Sequence, residues 1–204
     1  MSKHKIYLYP KWVRVWHGIN ALAILLLIVT GISMQYSDLN QPIRFDRAVL
    51  IHNICGSMLA LNYLYFLIAN ILTGNMKAYI FNMKGLADRM IIQSKYYLFG
   101  YFKDEPKPFP ISKKEKFNPL QKLAYTSTMY VLVPLVILTG IGLLFPEVIF
   151  EQIFHSSGIQ VTAITHASLG FFISIFLIIH LYVASVVKHP LRNYKSIITG
   201  YHED

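Results

Sequence analysis

Long apolar stretches alternate with short polar ones along this chain. Four mainly apolar runs reach roughly 20 residues, the length that a helix needs to cross about 30 Å of hydrocarbon. They cover residues 13–36, 49–72, 123–145 and 161–187, and turn-forming Pro, Gly and Asn residues separate them. The pattern predicts an all-α membrane protein, a four-helix transmembrane bundle in a single domain (residues 1–204) with both termini on one side.

Composition and charge agree with this class. Of the 204 residues, 54% are hydrophobic and only 14% are charged, which is too apolar for a soluble domain. The formal net charge is +9, but the basic residues are spread along loops beside the apolar runs and form no recognisable nucleic-acid motif. We therefore expect the lipid bilayer, and no nucleic acid, as a partner.

The distribution of basic residues predicts the orientation. Of 19 Lys and Arg residues, all but Arg44 and Arg47 lie in the N-terminal arm, the loop 73–122 or the C-terminal tail. The positive-inside rule then makes both termini and that loop cytoplasmic in a multi-pass protein of the bacterial inner membrane. A cleaved signal peptide is a poorer interpretation of the first run, which is too long and lacks a small-residue cleavage site.

Two further features constrain the picture. In the long loop, residues 76–102 mix apolar and basic residues at roughly helical spacing, which predicts an interfacial helix, and residues 103–119 are rich in Pro and Lys and predict an extended, solvated segment. The single cysteine, Cys55, excludes an internal disulfide framework and a thiolate iron–sulfur site. We expect it to be a small buried side chain.

Four of the eight histidines fall inside the apolar runs, namely His17, His52, His166 and His180. A titratable side chain at membrane depth is costly and is usually retained for a partner or a pathway. In the predicted topology, His17 and His180 lie near the cytoplasmic side, and His52 and His166 lie near the periplasmic side.

The fourth run carries two of these histidines on one face. Fourteen residues separate His166 from His180, which at helical geometry is about 21 Å of rise and a rotation of only about 40° from alignment. Each can therefore meet a histidine of another helix across the bundle. The sequence predicts two sites of two imidazoles each, at two depths.

Haem suits such sites better than zinc does. Zinc would need further nitrogen, sulfur or carboxylate ligands, which the runs do not supply, whereas haem needs two axial ligands and a flat apolar slot. Gly56 and Gly170 follow His52 and His166 by four residues, leaving space for a porphyrin edge on the same face. The glycines that could act similarly, or simply allow close helix packing, are Gly18, Gly31, Gly140 and Gly142.

The sequence contains no Cys-x-x-Cys-His motif, so the haems would be non-covalent b-type groups. Arg14, Arg44 and Arg47 lie near the expected membrane faces and could pair with haem propionates. The alternative for these arginines is a solvated or lipid-headgroup role.

Several motifs together resemble a known family. VRVWHG, IHNICGS, FNPLQKLAYTSTMY, THASLG and IIHLYVA are similar to segments of the four-helix di-haem cytochrome b subunits of nickel–iron hydrogenases, formate dehydrogenase and thiosulfate reductase, a cytochrome b561-like bundle. The resemblance implies two haem b groups, ligated by His52 with His166 and by His17 with His180. It also implies electron transfer between a periplasmic partner (a dehydrogenase, a reductase or a cytochrome c subunit) and membrane quinone, in either direction.

The same resemblance implies a quinone pocket near the cytoplasmic haem. Asn118 and Gln121 match polar residues of that pocket and carry donors and acceptors suited to a quinone carbonyl. Leu120 stands where the formate dehydrogenase subunit has glycine, so the pocket's shape differs. Without the resemblance, Asn118 would be a helix cap and Gln121 a first-turn residue.

Two other functions stay open at this stage. One is a standalone enzyme resembling the small four-helix cytochromes that oxidise superoxide and pass the electron to quinone, although the long loop 73–122 is unlike their shorter connections. The other is a haem-free membrane anchor or transporter, in which the histidines would relay protons or pack.

Overall fold

The computed structural model describes residues 5–36, 43–112, 115–153, 155–185 and 191–203. Within these ranges, four helices are long and apolar enough to cross a membrane, which confirms the predicted all-α membrane class. They are α1 (Lys11–Gln35), α2 (Phe45–Thr73), α4 (Pro119–Leu144) and α5 (Gly158–Ser185). Lys3, His4, Lys188, His189 and the end of the fourth predicted run lie outside the described residues.

Each long helix begins two to four residues before its predicted apolar run. The first turn of a membrane helix lies at the polar interface, so it carries residues that an apolar window leaves out. In α4 this turn is Pro119–Leu120–Gln121, with Asn118 as its cap. The predicted runs therefore locate the apolar part of each helix, and they place the first residue of the helix two to four residues too late.

The bundle consists of two hairpins. Helix α1 packs chiefly against α2, and α4 packs chiefly against α5. Side chains from all four helices form its buried core, which comprises Trp16, Tyr63, Phe66, Met129, Val133 and Ile173. Only 6% of the most apolar window of α5 is buried, so the helix turns its apolar surface mostly outward, as a helix in lipid does.

Helix α4 contains a π turn at Thr128–Leu132, which ends two residues before Pro134. Proline has no N–H for the helix ladder, and its ring clashes with the carbonyl four residues earlier. One wider turn accommodates the proline ring while the helix continues. Membrane helices tolerate such a proline when neighbouring groups satisfy the carbonyl that it leaves without a partner. Cys55, on α2, is buried as predicted.

Both described chain ends meet at one end of the bundle, which we call the terminal end. Strand β1 (Lys5–Tyr7) pairs antiparallel with β4 (Tyr201–Glu203), which follows the short helix α6 (Arg192–Thr199). The backbone N–H groups of Leu8 and Tyr9 donate to the carbonyl of Gly200. At the other end, a two-stranded hairpin, β2 (Gln152–Ile153) and β3 (Ser156–Ser157), precedes α5.

The long loop also lies at the terminal end. It contains a turn of 3₁₀ helix (Asn75–Tyr79), helix α3 (Leu86–Lys95) and further single turns through Lys103, so the predicted interfacial helix is shorter than the segment 76–102. Gly74 and Gly85 have positive φ and separate α2 from α3. Tyr79 packs into the bundle, with ring centroids 5.9 Å from Phe66 and 5.5 Å from Tyr130.

Candidate functional site

The structure brings the four membrane-depth histidines together in two pairs. The ring centroids of His17 on α1 and His180 on α5 are 6.2 Å apart at the terminal end. Those of His52 on α2 and His166 on α5 are 6.1 Å apart toward the opposite end. These are the two pairings that depth in the sequence predicts.

A separation near 6 Å suits one metal ion held between two imidazoles. A metal–nitrogen bond of about 2 Å on each side, with each nitrogen about 1 Å from its ring centre, gives roughly 6 Å between centroids. Among the described residues, no three His, Cys, Asp or Glu side chains come together in a metal-binding group. Each pair thus offers two ligands, the number that a six-coordinate haem iron takes from its protein.

Thr30 fixes the orientation of His52. Its hydroxyl donates to the Leu26 carbonyl at 2.7 Å, and its oxygen lies 2.9 Å from Nδ1 of His52. Because the hydroxyl proton is used on the helix backbone, the oxygen accepts from the Nδ1–H of the ring. Nε2 of His52 is then the nitrogen with a free lone pair, the form that ligates a metal.

Thr139 does the same for His166 in the second hairpin. The Thr139 hydroxyl donates to the Leu135 carbonyl at 2.8 Å and its oxygen lies 3.0 Å from Nδ1 of His166. The two threonines come from α1 and α4, and the two histidines come from the helices that follow them. A metal-ligating histidine usually has a hydrogen-bond acceptor of this kind on its other ring nitrogen, and the acceptor fixes both the tautomer and the orientation of the ring.

Glycines surround the same pair. A Cβ on Gly140 would lie 3.1 Å from Cε1 of His166, and one on Gly31 would lie 3.7 Å from Cε1 of His52, so Gly140 permits the closer approach. Gly170 faces open space within 4 Å, and a Cβ on Gly56 would meet only Leu27 at 4.0 Å. The space beside both predicted slot glycines fits a flat group between the histidines.

Aromatic side chains surround the terminal-end pair. The Phe176 ring stacks on His180 at 5.6 Å between centroids and an interplanar angle of 13°. The Tyr125 hydroxyl lies 3.4 Å from Nδ1 of His180, a longer contact than the two threonine contacts. Trp16, next to His17 in sequence, stacks on Phe66 at 4.4 Å.

Of the three arginines predicted near the membrane faces, Arg14 is the one with a buried guanidinium nitrogen, and Arg44 and Arg47 are exposed. Nε of Arg14 is buried and has no hydrogen-bond partner among the described residues. A buried donor of a charged group is costly unless an acceptor satisfies it, so its position one turn from His17 fits an anionic group such as a haem propionate. Arg44 instead pairs with Asp46 at 3.1 Å on the surface, and Arg47 is exposed.

The two predicted quinone contacts form the cap of α4. Oδ1 of Asn118 accepts from the Gln121 backbone N–H at 2.9 Å, and Oε1 of Gln121 accepts from the Asn118 N–H at 3.2 Å, a reciprocal capping box. The Asn118 amide also donates to the Tyr97 hydroxyl at 2.7 Å, which ties the loop to this helix start. Burial raises the pKa of the Tyr97 phenol above its usual value.

Sequence reasoning missed Thr30, Thr139, Tyr125 and Phe176. A signal for the threonines was present, because Thr-Gly occurs in both the first run (VTGIS, 29–33) and the third (LTGIG, 138–142). His-x-x-x-Gly occurs in both the second and the fourth run. The two hairpins therefore repeat one arrangement, in which Thr-Gly on the first helix holds a histidine on the second.

Comparison with known proteins agrees with this geometry. Residues 8–200 match the family described as prokaryotic cytochrome b561. A protein of Escherichia coli (strain K12) named "Putative cytochrome YdhU" is 36% identical over 199 residues, which cover 97% of this chain and 75% of that protein. The chain therefore belongs to the prokaryotic cytochrome b561 family of membrane electron-transfer proteins, whose cofactor is haem b.

Proposed function

We propose that this chain holds two haem b groups, one between each histidine pair, and carries electrons between a periplasmic redox partner and membrane quinone. The observation that carries the proposal is the presence of two separate pairs whose centroid spacings are 6.2 and 6.1 Å. Their shared helix α5 puts His166 and His180 about 21 Å apart along the helix axis. Two such sites give electrons a path across most of the bilayer.

The proposed setting is the bacterial inner membrane, with the terminal end in the cytoplasm. The loop and the described parts of both chain ends lie at this end, and they carry 13 of the 15 Lys and Arg residues that the structure describes. The positive-inside rule supports that orientation. The His52–His166 pair then faces the periplasm, where a dehydrogenase, a reductase or a cytochrome c subunit would exchange electrons with it.

Haem b supplies one-electron redox chemistry when it is bound, and the protein supplies position, ligands and surroundings. Thr30 and Thr139 hold the Nδ1–H groups of His52 and His166, which leaves Nε2 of each ring as the nitrogen that would bind iron. Arg14 would offer its buried Nε–H to a carboxylate near His17. All four histidines are partly buried among the apolar helices.

Quinone reduction takes two electrons and two protons to give quinol, and quinol oxidation releases the same numbers. A site at the cytoplasmic edge allows proton exchange with water while electrons arrive singly through the bundle. Asn118 and Gln121 lie at that edge, and each commits its side-chain oxygen to the helix cap. Their amide N–H groups are the donors that remain suited to a quinone carbonyl, and the one on Asn118 now donates to Tyr97.

The first test is the haem content of the detergent-purified chain, with an optical spectrum after dithionite reduction. We expect two non-covalent b haems per chain, one lost in His52→Ala and the other in His17→Ala. A parent chain without haem would end the electron-transfer proposal and favour the anchor or transporter. A parent with one haem would mean that one of the two pairs is not a site.

The second test is oxidation of the dithionite-reduced parent by a quinone, followed through the haem absorbance. We expect His17→Ala to slow this oxidation more than His52→Ala, because the proposed quinone contacts lie at the His17 end. Equal rates in the two variants would contradict the proposed position of the quinone. Superoxide-dependent reduction of quinone by the chain alone would instead support the standalone enzyme.

A further inference from the structure

One face of α2 is exposed along the length of the helix. Helix α2 packs chiefly against α1, and the side chains that it leaves exposed recur every three or four residues, the spacing of a single helix face. We call this surface the outer face of α2. It includes the exposed residues Leu50, Asn53, Ser57, Leu61, Leu64 and Ile68.

Two polar side chains interrupt this apolar face at membrane depth. Helix α2 runs from Phe45 to Thr73, so Asn53 lies about 9 Å and Ser57 about 3 Å from its midpoint. Both distances are well below the roughly 15 Å half-thickness of the hydrocarbon layer. The two side chains therefore point from the bundle toward lipid and not toward water.

The carboxamide of Asn53 has no hydrogen-bond partner in the part of the chain that the structure describes. Ser57 differs, because its hydroxyl donates to the Asn53 backbone carbonyl at 2.9 Å. Asn62, on the same helix, is buried and donates to the Trp16 carbonyl at 3.2 Å. An amide without a partner is costly in hydrocarbon, where no water can replace the missing group. The outer face therefore needs a polar partner at the depth of Asn53.

A second copy of this chain supplies such a partner. A carboxamide carries both donors and an acceptor, so two carboxamides can pair with each other. All copies insert with the same orientation, because the same basic residues determine it. A two-fold axis along the membrane normal then brings the two Asn53 side chains of a pair to the same depth at one interface.

The positions beside Asn53 allow the close approach that this pairing needs. Ser57 follows Asn53 by four residues, so its small side chain lies one turn away on the same face. Small residues let membrane helices pack closely, and Asn and Ser side chains form hydrogen bonds across such interfaces. Leu61, Leu64 and Ile68 continue the exposed face toward the terminal end and supply apolar contact.

We propose that the outer face of α2 is the interface of a homodimer, in which two copies of the chain pair at Asn53 and Ser57. The proposal goes beyond the proposed function and requires neither haem nor quinone. A membrane helix of another protein is the competing occupant of this face. Experiments on this chain alone separate the two, because they contain no other protein.

Disulfide cross-linking of the purified chain in lipid vesicles tests the contact. Cys55→Ala removes the single native thiol, so that one introduced cysteine is the only one present. Ser57→Cys should then form a linked dimer under mild oxidation, because a disulfide requires Cα atoms within about 7 Å. Ser168→Cys is the matched control and should stay monomeric. Ser168 is an exposed serine of α5 whose hydroxyl donates to its own helix, at the Ile164 carbonyl, as that of Ser57 does.

Asn53→Leu tests the hydrogen bond itself. Energy transfer between chains that carry a donor or an acceptor dye at the N-terminus, measured over a series of chain-to-lipid ratios, gives the dissociation constant of the dimer. We expect Asn53→Leu to weaken the dimer roughly 3–30-fold, the range that corresponds to hydrogen bonds between membrane helices. Asn53→Gln keeps the carboxamide and should lose less. Ser168→Leu, a polar-to-apolar change on another exposed face, should match the parent.

A parent chain that stays monomeric at every ratio would overturn the proposal and leave this face to lipid or to another protein. Equal cross-linking of Ser57→Cys and Ser168→Cys would also overturn it, and so would a dissociation constant that Asn53→Leu does not change. Circular dichroism checks that each variant is folded, and Asn53→Ala replaces Asn53→Leu if the latter loses helix. Neither experiment follows electrons, so its failure is distinct from a failure of the proposed function, which haem content and quinone oxidation decide.

Discussion

Removing the Thr139 hydroxyl should weaken one haem site and spare the other. Thr139→Val keeps the shape of the side chain but deletes the oxygen that lies 3.0 Å from Nδ1 of His166. The ring N–H then loses this acceptor and keeps the Val136 carbonyl as its hydrogen-bond partner, so the cost is at most about 1–3 kcal/mol. Loss of such an outer partner commonly lowers metal affinity by roughly 10–100-fold.

Haem titration into the apo chain measures this effect. The parent should bind two equivalents of haem tightly, and Thr139→Val should bind one tightly and the second roughly 10–100-fold more weakly. Redox titration of the loaded variant should show that the weakened site is the one that His52→Ala removes. Thr30→Val should weaken the same site, because Thr30 holds the other ring of that pair at 2.9 Å.

Thr165→Val is the matched control. Thr165 is exposed on α5, and its hydroxyl donates to the Val161 carbonyl at 2.8 Å, as the Thr139 hydroxyl does to its own helix. Thr165→Val therefore removes a hydroxyl-to-backbone hydrogen bond like that of Thr139 but removes no hydrogen bond to a histidine ring. If Thr139→Val and Thr165→Val bind haem alike, the threonine does not position the ligand and the tautomer argument is refuted.

Three further predictions concern the surroundings of the pairs. Gly140→Ala should lower the haem content per chain, because the new Cβ would lie 3.1 Å from Cε1 of His166 and crowd that ring. Gly31→Ala, whose Cβ would lie 3.7 Å from Cε1 of His52, should keep a haem content near that of the parent. Equal haem contents in the two variants would contradict this. The Tyr125 hydroxyl lies 3.4 Å from Nδ1 of His180 and accepts from it when Nε2 of that ring holds iron. Tyr125→Phe removes this oxygen, so the midpoint potential of the terminal-end haem alone should rise in a redox titration, and a shift of both haems or of neither would refute the contact. Asn118→Ala breaks the capping box and should destabilise the chain by about 1 kcal/mol in thermal melting, whereas Asn118→Asp, which keeps an acceptor for the cap, should lose less.

The membrane class and the histidine pairing were predictable because both depend on position along a helix of known rise. An apolar run of about 20 residues has few alternatives to a span, and depth then decides which histidines can meet. The threonine contacts were not predictable in this way. A threonine in an apolar helix ordinarily bonds its own backbone, and Thr30 and Thr139 do this too, so only the packing of the next helix shows the second contact.

The sequence also did not predict the irregular turn in α4 or the packing of the long loop on the bundle. The wide turn before Pro134 keeps α4 continuous where the sequence alone offers a kink or a break equally well. The loop was predicted as an interfacial helix followed by a solvated segment, but Tyr79 and Phe117 pack together at 5.7 Å and Phe117 packs on Tyr125 at 4.9 Å. Local periodicity describes what a segment favours and does not say which part of it the bundle end will cover.

The two pairs differ in the acceptors around them, and the difference bears on the direction of electron flow. Both rings of the His52–His166 pair donate to threonine oxygens at 2.9 and 3.0 Å, whereas His180 has a hydroxyl at 3.4 Å. A stronger acceptor on Nδ1 makes the ligand more basic, which stabilises the more highly charged, oxidised iron. On the proposed function, the haem far from the chain ends then has the lower midpoint potential. If the proposed function holds, we expect electrons to run downhill toward the terminal end, the direction that quinone reduction at the cap of α4 requires.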